Sequence, residues 1–202
     1  NILIPFLDNL YKNLKILSIT LREINNCDIQ SFVEKLFSHR NLEELELNLQ
    51  KIQNTISHNI KKGKLPYLKR LKLKGFSWIL KCLENNTRGH IEEIHLEEYL
   101  LSRVNFNELF ENFGDFINLR TFNANLQLTL NKPLTITHEK NILKTFNELK
   151  HFTNCKLHIH GVSISREDLI KILPWNPTLL NVDLQLNEFK VLRELNRQYS
   201  IL

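Results

Sequence analysis

The chain has 202 residues, 42% of them apolar and 24% charged, with a formal net charge of +5. This is enough to build a sizeable core, and the modest positive charge permits acidic partners without demanding them. No apolar run approaches the roughly 18–20 residues a membrane-spanning helix needs, and the N-terminus has neither a basic leader nor a small-residue cleavage site.

In chain order, one apolar skeleton recurs. Leu14, Leu17 and Ile19 have the spacing L-x-x-L-x-L. Leu42, Leu45 and Leu47 repeat it, then Leu68, Leu71 and Leu73, then Ile91, Ile94 and Leu96, with weaker copies at Leu119, Phe122 and Ala124 and at Leu179, Val182 and Leu184. The first five copies start 28, 26, 23 and 28 residues apart, and the 60-residue gap that follows has room for one more. Two stretches compete for it, "LKHFTN" (149–154) and "KLHIHG" (156–161). The second is favoured for its period-two alternation and terminal Gly161. Alternation sends the fourth and sixth motif residues inward and the third, fifth and seventh outward.

The intervals read as helices. Residues 27–40 have Asp28 as an N-cap candidate and Ile29, Phe32, Val33, Leu36 and Phe37 at helical spacing. A second helix starts at Ser77. A third starts at Asn105 or Asn107, with Leu109, Phe110 and Phe113 as its apolar face. A fourth starts at Thr137, and the next is capped by Ser165 with Asp168 three residues on and ends at Pro174. Val191, Leu192 and Leu195 suggest a final helix over 189–202.

Strand and helix alternating at this period indicate a stacked repeat protein, in which neighbouring units bury what one unit cannot. The chain resembles the leucine-rich repeat superfamily, in the ribonuclease-inhibitor-like and F-box-associated class whose repeats carry a full helix. That resemblance covers nearly all of residues 10–190. It implies an α/β solenoid of about seven irregular repeats: a curved arc with a parallel β-sheet on the concave face and helices on the convex face. The Asn or Cys that usually follows the strand is replaced by Arg22, Gln50, Phe76 and Tyr99, which predicts irregular turns and a flatter arc. Residues 1–202 read as one leucine-rich repeat domain. With no Met anywhere, they read as a segment of a longer chain.

The resemblance also implies that the concave sheet binds proteins. Its outward residues are Glu44, Glu46 and Asn48; Arg70, Lys72 and Lys74; Glu93, His95 and Glu97; Thr121, Asn123 and Asn125; and Asn181, Asp183 and Gln185. The sign of charge flips from one copy to the next. In adjacent parallel strands this puts Arg70 between Glu44 and Glu93, Lys72 between Glu46 and His95, and Lys74 beside Glu97. Such a ladder serves internal neutralisation, partner docking or both.

Other signals are weaker. Lys61, Lys62, Lys64, Lys69, Arg70, Lys72 and Lys74 concentrate seven basic residues in 61–74, the basis for an alternative reading as a nucleic-acid-associated subunit. His158 and His160 share a strand face, but spacing supplies no third ligand, so no metal is expected. Cys27, Cys82 and Cys155 are odd in number and widely spaced, which fits buried thiols in an intracellular, reducing compartment. Trp78 and Trp175 read as packing residues. No nucleotide-binding, hydrolase or zinc-protease motif occurs. The expected function is therefore a non-catalytic scaffold for one or more proteins, a structural or adaptor subunit with no cofactor and no small-molecule substrate. A substrate receptor of the F-box type is a variant that needs an N-terminal segment not found here.

Overall fold

In the computed structural model, the described residues are 13–23, 26–50, 60–101, 113–128, 149–160, 180–186, 189–193 and 199–201, with Leu7, Leu109 and Thr178. They form one sheet whose nine strands lie in sequence order. Seven run parallel: β1 (Ile16–Leu21), β2 (Glu44–Leu49), β3 (Arg70–Lys74), β4 (Glu93–Leu101), β5 (Thr121–Leu128), β6 (Asn154–His160) and β7 (Asn181–Leu186). This is an α/β array of stacked strand repeats.

Register follows the motif. Leu17, Leu45, Leu71, Ile94, Phe122, Cys155 and Val182 align in one row, and every one of them is buried. A second buried row runs Ile19, Leu47, Leu73, Leu96, Ala124 and Leu157. Leu49, Leu126 and Ile159 extend the alternation by one more inward position. Burial of such side chains contributes about 1.5–3 kcal/mol each before chain entropy is set against it. The hidden sixth copy is β6, as "KLHIHG" suggested. Its motif reads Phe152, Cys155, Leu157.

Two backbone devices recur between copies. The carbonyl after the first motif residue accepts two N–H groups from the next repeat: Lys15 O takes Glu43 and Glu44, and Glu43 O takes Lys69 and Arg70. Lys69, Glu92, Arg120 and Thr153 act likewise. Three residues before the first motif position, a buried residue closes a turn. His39, Leu65, Arg88, Phe116 and Leu149 fill that place, each carbonyl accepting the N–H three residues on at 2.9–3.5 Å. His39 meets the carbonyl of Leu7 at 3.1 Å. Arg88, only 2% exposed, donates to Asp115 at 2.7 Å.

Helix α1 (Asn26–Ser38) buries Ile29, Phe32, Val33 and Leu36 in the same apolar cluster as the inward strand residues. Phe32 packs against Phe76 with ring centroids 6.0 Å apart. The helix expected from Ser77 is instead two single turns, α2 (Ile79–Cys82) and α3 (Asn85–Arg88). The cause is tertiary. Gly63 donates to Cys82 O at 2.8 Å and accepts from Glu84 N at 3.0 Å, which holds Leu83 extended between the turns. A Cβ on Gly63 would fall 1.9 Å from a ring carbon of Phe37, so only glycine allows this approach. Beyond α3, Leu109 is helical and buried, and Phe113–Asp115 is a 3₁₀ turn. The rest of the helix expected from Asn105 or Asn107, the helices expected from Thr137 and Ser165, and Trp175 lie outside the described residues.

The final helix expected over 189–202 is corrected. Phe189–Arg193 forms β8, antiparallel to β7, and Tyr199–Ile201 forms β9, antiparallel to β8. The last parallel strand would otherwise leave a row of unpaired N–H and C=O groups, and a returning strand satisfies them.

Glu98 breaks the apolar pattern. It takes the inward place next to Leu126, is buried, and its carboxylate accepts the Ser77 N–H at 3.0 Å. Burial pushes its pKa above the ordinary 4.5, against the lowering influence of Ser77. The folded state therefore holds a proton that the unfolded chain releases at lower pH. The contribution to stability is complete below about pH 4.5 and declines as pH rises through the folded pKa. Glu98→Gln keeps the acceptor and removes the ionisation. Urea unfolding from pH 4.5 to 7.5 should show a smaller loss of stability for the variant than for the parent. Equal slopes would mean the carboxylate stays charged in the fold.

Candidate functional site

The outward rows of the sheet carry the residues singled out from sequence, and the register brings them together. On β2, β3 and β4 the aligned sets are Glu44, Arg70 and Glu93; Glu46, Lys72 and His95; and Asn48, Lys74 and Glu97. Thr121, Asn123 and Asn125 continue these rows on β5. Asn181, Asp183 and Gln185 end them on β7, separated from β5 by Asn154, Lys156 and His158 of β6.

Here the face forms a groove of about 660 Å³. Its polar lining is Glu46, Asn48, Lys72, Lys74, His95, Glu97, Asn123, Asn125, Lys156 and His158. Leu47, Leu73, Leu96 and Ala124 complete it. Glu44, Arg70, Glu93 and Thr121 belong to the neighbouring row rather than the lining, and the β7 residues lie beyond it. Lys156 and His158 were missing from the expected set. Their signal was available in the alternation of "KLHIH", once that stretch is a strand aligned with β5.

The charge ladder is partly realised. Arg70 pairs with Glu44, and Lys74 with Glu97 at 3.0 Å while lying 5.5 Å from the centre of the Tyr99 ring. Glu93, expected beside Arg70, instead engages His95 on its own strand. The other ring nitrogen of His95 lies 3.1 Å from the Asn123 amide nitrogen. Among the described residues, Lys72 and Glu46 form no ion pair although their Cα positions are matched in register. The middle row thus leaves a cation and an anion uncommitted between neutralised neighbours.

A second ladder, unanticipated, runs along the residues after the first motif position: Lys15, Glu43, Lys69, Glu92 and Arg120. Lys15 and Glu43 meet at 2.8 Å, and Glu92 and Arg120 at 4.0 Å. Hydrogen bonding and attraction in the first pair push the pKa of Lys15 up and that of Glu43 down. Pairs as exposed as these contribute little, so the alternation serves to avoid like-charge rows as much as to add stability.

The basic segment is divided by the fold. Lys64 faces Glu84 at 3.5 Å, Lys69 belongs to the second ladder, and Arg70, Lys72 and Lys74 stand on the sheet. Lys61 and Lys62 are exposed ahead of Gly63. His158 and His160 share one face of β6 as expected. His158 is half-buried with Nε2 3.2 Å from Asp183, and His160 is exposed. No group of three metal-ligating side chains occurs among the described residues. Burial drives the thiols of Cys82 and Cys155 up to about 12, so both behave as small apolar groups. Trp78 is half-buried against Phe76. Among the described residues no helix is long and apolar enough to cross a membrane.

No family model matches the chain, and no curated protein matches its sequence. Among solved structures, a tropomodulin C-terminal domain of Caenorhabditis elegans is similar at 12% identity, covering 87% of this chain and 89% of that one, with a TM-score of 0.47.

Proposed function

We propose that this chain is a non-catalytic protein-interaction module, a leucine-rich-repeat arc with its helices outside and its sheet as the inner wall. It docks a partner protein in the groove, as a structural or adaptor subunit of a larger assembly. One observation carries this reading. Among the described residues, Lys72 and Glu46 stand in the groove without ion pairs while Arg70–Glu44 and Lys74–Glu97 beside them are neutralised. A ladder built only for internal neutrality would close its middle rung. A docking surface keeps charges ready for a partner, where they set specificity and association rate. The contact residues are those of the outward rows, from Glu44 to Gln185.

The carboxylates also suit a scaffold better than an enzyme. Glu43, Glu44, Glu92 and Glu93 each face a cation or histidine of the ladders. The test compares two charge reversals in co-purification with mass-spectrometric identification of bound chains. Lys72→Glu should weaken partner association by at least about tenfold with the fold intact, and Lys72→Gln, which sets no carboxylate beside Glu46, should weaken it with an unchanged unfolding midpoint. Arg70→Glu should cost more stability, because it breaks the pair with Glu44 and sets three carboxylates side by side on β2, β3 and β4. Partners retained by Lys72→Glu but lost on reversing Lys61 and Lys62 would place the interface elsewhere.

A further inference from the structure

The groove's uncommitted groups are uneven in sign, and the geometry points to an acidic, extended segment of a partner protein as its occupant, lying across β3 to β6. This rests on the docking role just proposed. The middle outward row aligns Lys72, His95, Asn123 and Lys156 on four successive strands. Lys72 has no ion pair among the described residues, and Lys156 reaches Asp183 only at 4.0 Å with its side chain more than half exposed. Between them His95 is occupied by Glu93 and Asn123, and the Asn123 amide keeps a second hydrogen to donate. Cations therefore stand at both ends of a donor row.

Spacing specifies the ligand further. Three strand steps of about 4.8 Å separate Lys72 from Lys156, about 14 Å in all. An extended chain advances about 3.3 Å per residue, so carboxylates at i and i+4 lie about 13 Å apart and meet both lysines at once. A polar residue between them faces Asn123. Glu46, beyond Lys72 on β2, favours a basic residue at that end of the segment. A basic segment would confront both lysines and gain only Glu46. A nucleic acid chain needs an unbroken positive track, which Glu46 and Glu97 interrupt.

The experiment uses the full chain and labelled ten-residue peptides in a Ser/Gly background: glutamates at positions 3 and 7, the same peptide with glutamines, and the same with lysines. An oligouridine of equal length is the fourth probe, and fluorescence anisotropy is read at low and physiological ionic strength. The glutamate peptide should bind saturably, weaken with salt, and lose about tenfold affinity on Lys72→Glu and on Lys156→Glu separately. The Lys61→Glu/Lys62→Glu control should bind as the parent does. Lys72 and Lys156 are exposed, so circular dichroism should report intact folds, and Lys72→Gln and Lys156→Gln serve if a reversal does not fold.

Equal binding of the glutamine or lysine peptide, tighter binding of oligouridine, or indifference to both groove variants overturns the inference. If no peptide binds while Lys72→Glu still releases co-purified partners, the acidic chemistry is wrong and the groove remains the docking site. If Lys72→Glu affects neither, both readings fall.

Discussion

Phe122→Ala should lower the unfolding free energy by about 3–5 kcal/mol, the range for removing a large aromatic from a packed core. Phe122 is fully buried near the start of β5, with its neighbours Ile94 and Cys155 in the same inward row. It meets Phe113 edge-on with ring centroids 4.8 Å apart. Loss of that ring leaves a cavity bounded by strands on both sides, which a stacked array cannot close without shifting repeats against each other. Gln127→Ala, on the exposed face of the same strand, should change stability by no more than about 0.5 kcal/mol. Urea unfolding followed by circular dichroism measures both. Similar costs at the two positions would contradict the inward and outward assignment of β5. Because repeats contact mainly their neighbours, hydrogen exchange should show the loss spreading from β4–β6 rather than evenly.

The second large effect is expected at Asp115. Among the described residues, Arg88 takes the turn position that His39, Leu65, Phe116 and Leu149 fill in other repeats. Its guanidinium is 2% exposed and its Nε has no partner among the described residues, so Asp115 carries most of the compensation. Asp115→Asn leaves a buried cation without its counter-charge. The cost should fall at the lower end of about 3–5 kcal/mol, since Asp115 itself is about one-third exposed. Adding Arg88→Met should recover most of the loss, because a buried ion pair is often replaceable by apolar packing at little cost. A double-mutant cycle on urea midpoints tests this. Additive losses would mean that Arg88 is stabilised by something other than the pair.

Both effects bear on what could be read beforehand. Copies two to four were legible because leucines at period two leave no alternative to a strand with one buried face. The sixth copy was obscured because Phe152 and Cys155 occupy leucine positions: any apolar side chain of suitable volume fills the row, so residue identity drifts while burial does not. Arg88 left no signal of its own, since its burial depends on Asp115, which lies 27 residues away in the next repeat. The same limit applies to the site. Its outward residues followed from alternation, but their pairing did not. Arg70 could have met Glu44 or Glu93, and which carboxylate was left for His95 depended on rotamers rather than on order along the chain.

The stacked strands, their parallel register and the outward direction of the side chains on β2 to β5 were thus written into the recurring apolar spacing, because period-two alternation and side-by-side copies leave little freedom. Three features needed the folded molecule. Leu83 is extended because Gly63 comes against it from an earlier repeat. Phe189–Arg193 and Tyr199–Ile201 return as antiparallel strands because the edge of β7 offers unpaired backbone groups, although the spacing of Val191, Leu192 and Leu195 in the sequence fits a helix equally well. Lys72 and Glu46, matched in register, form no ion pair among the described residues, and strand order alone does not decide that. Each depends on which groups the fold sets against one another, and local periodicity contains no information about that.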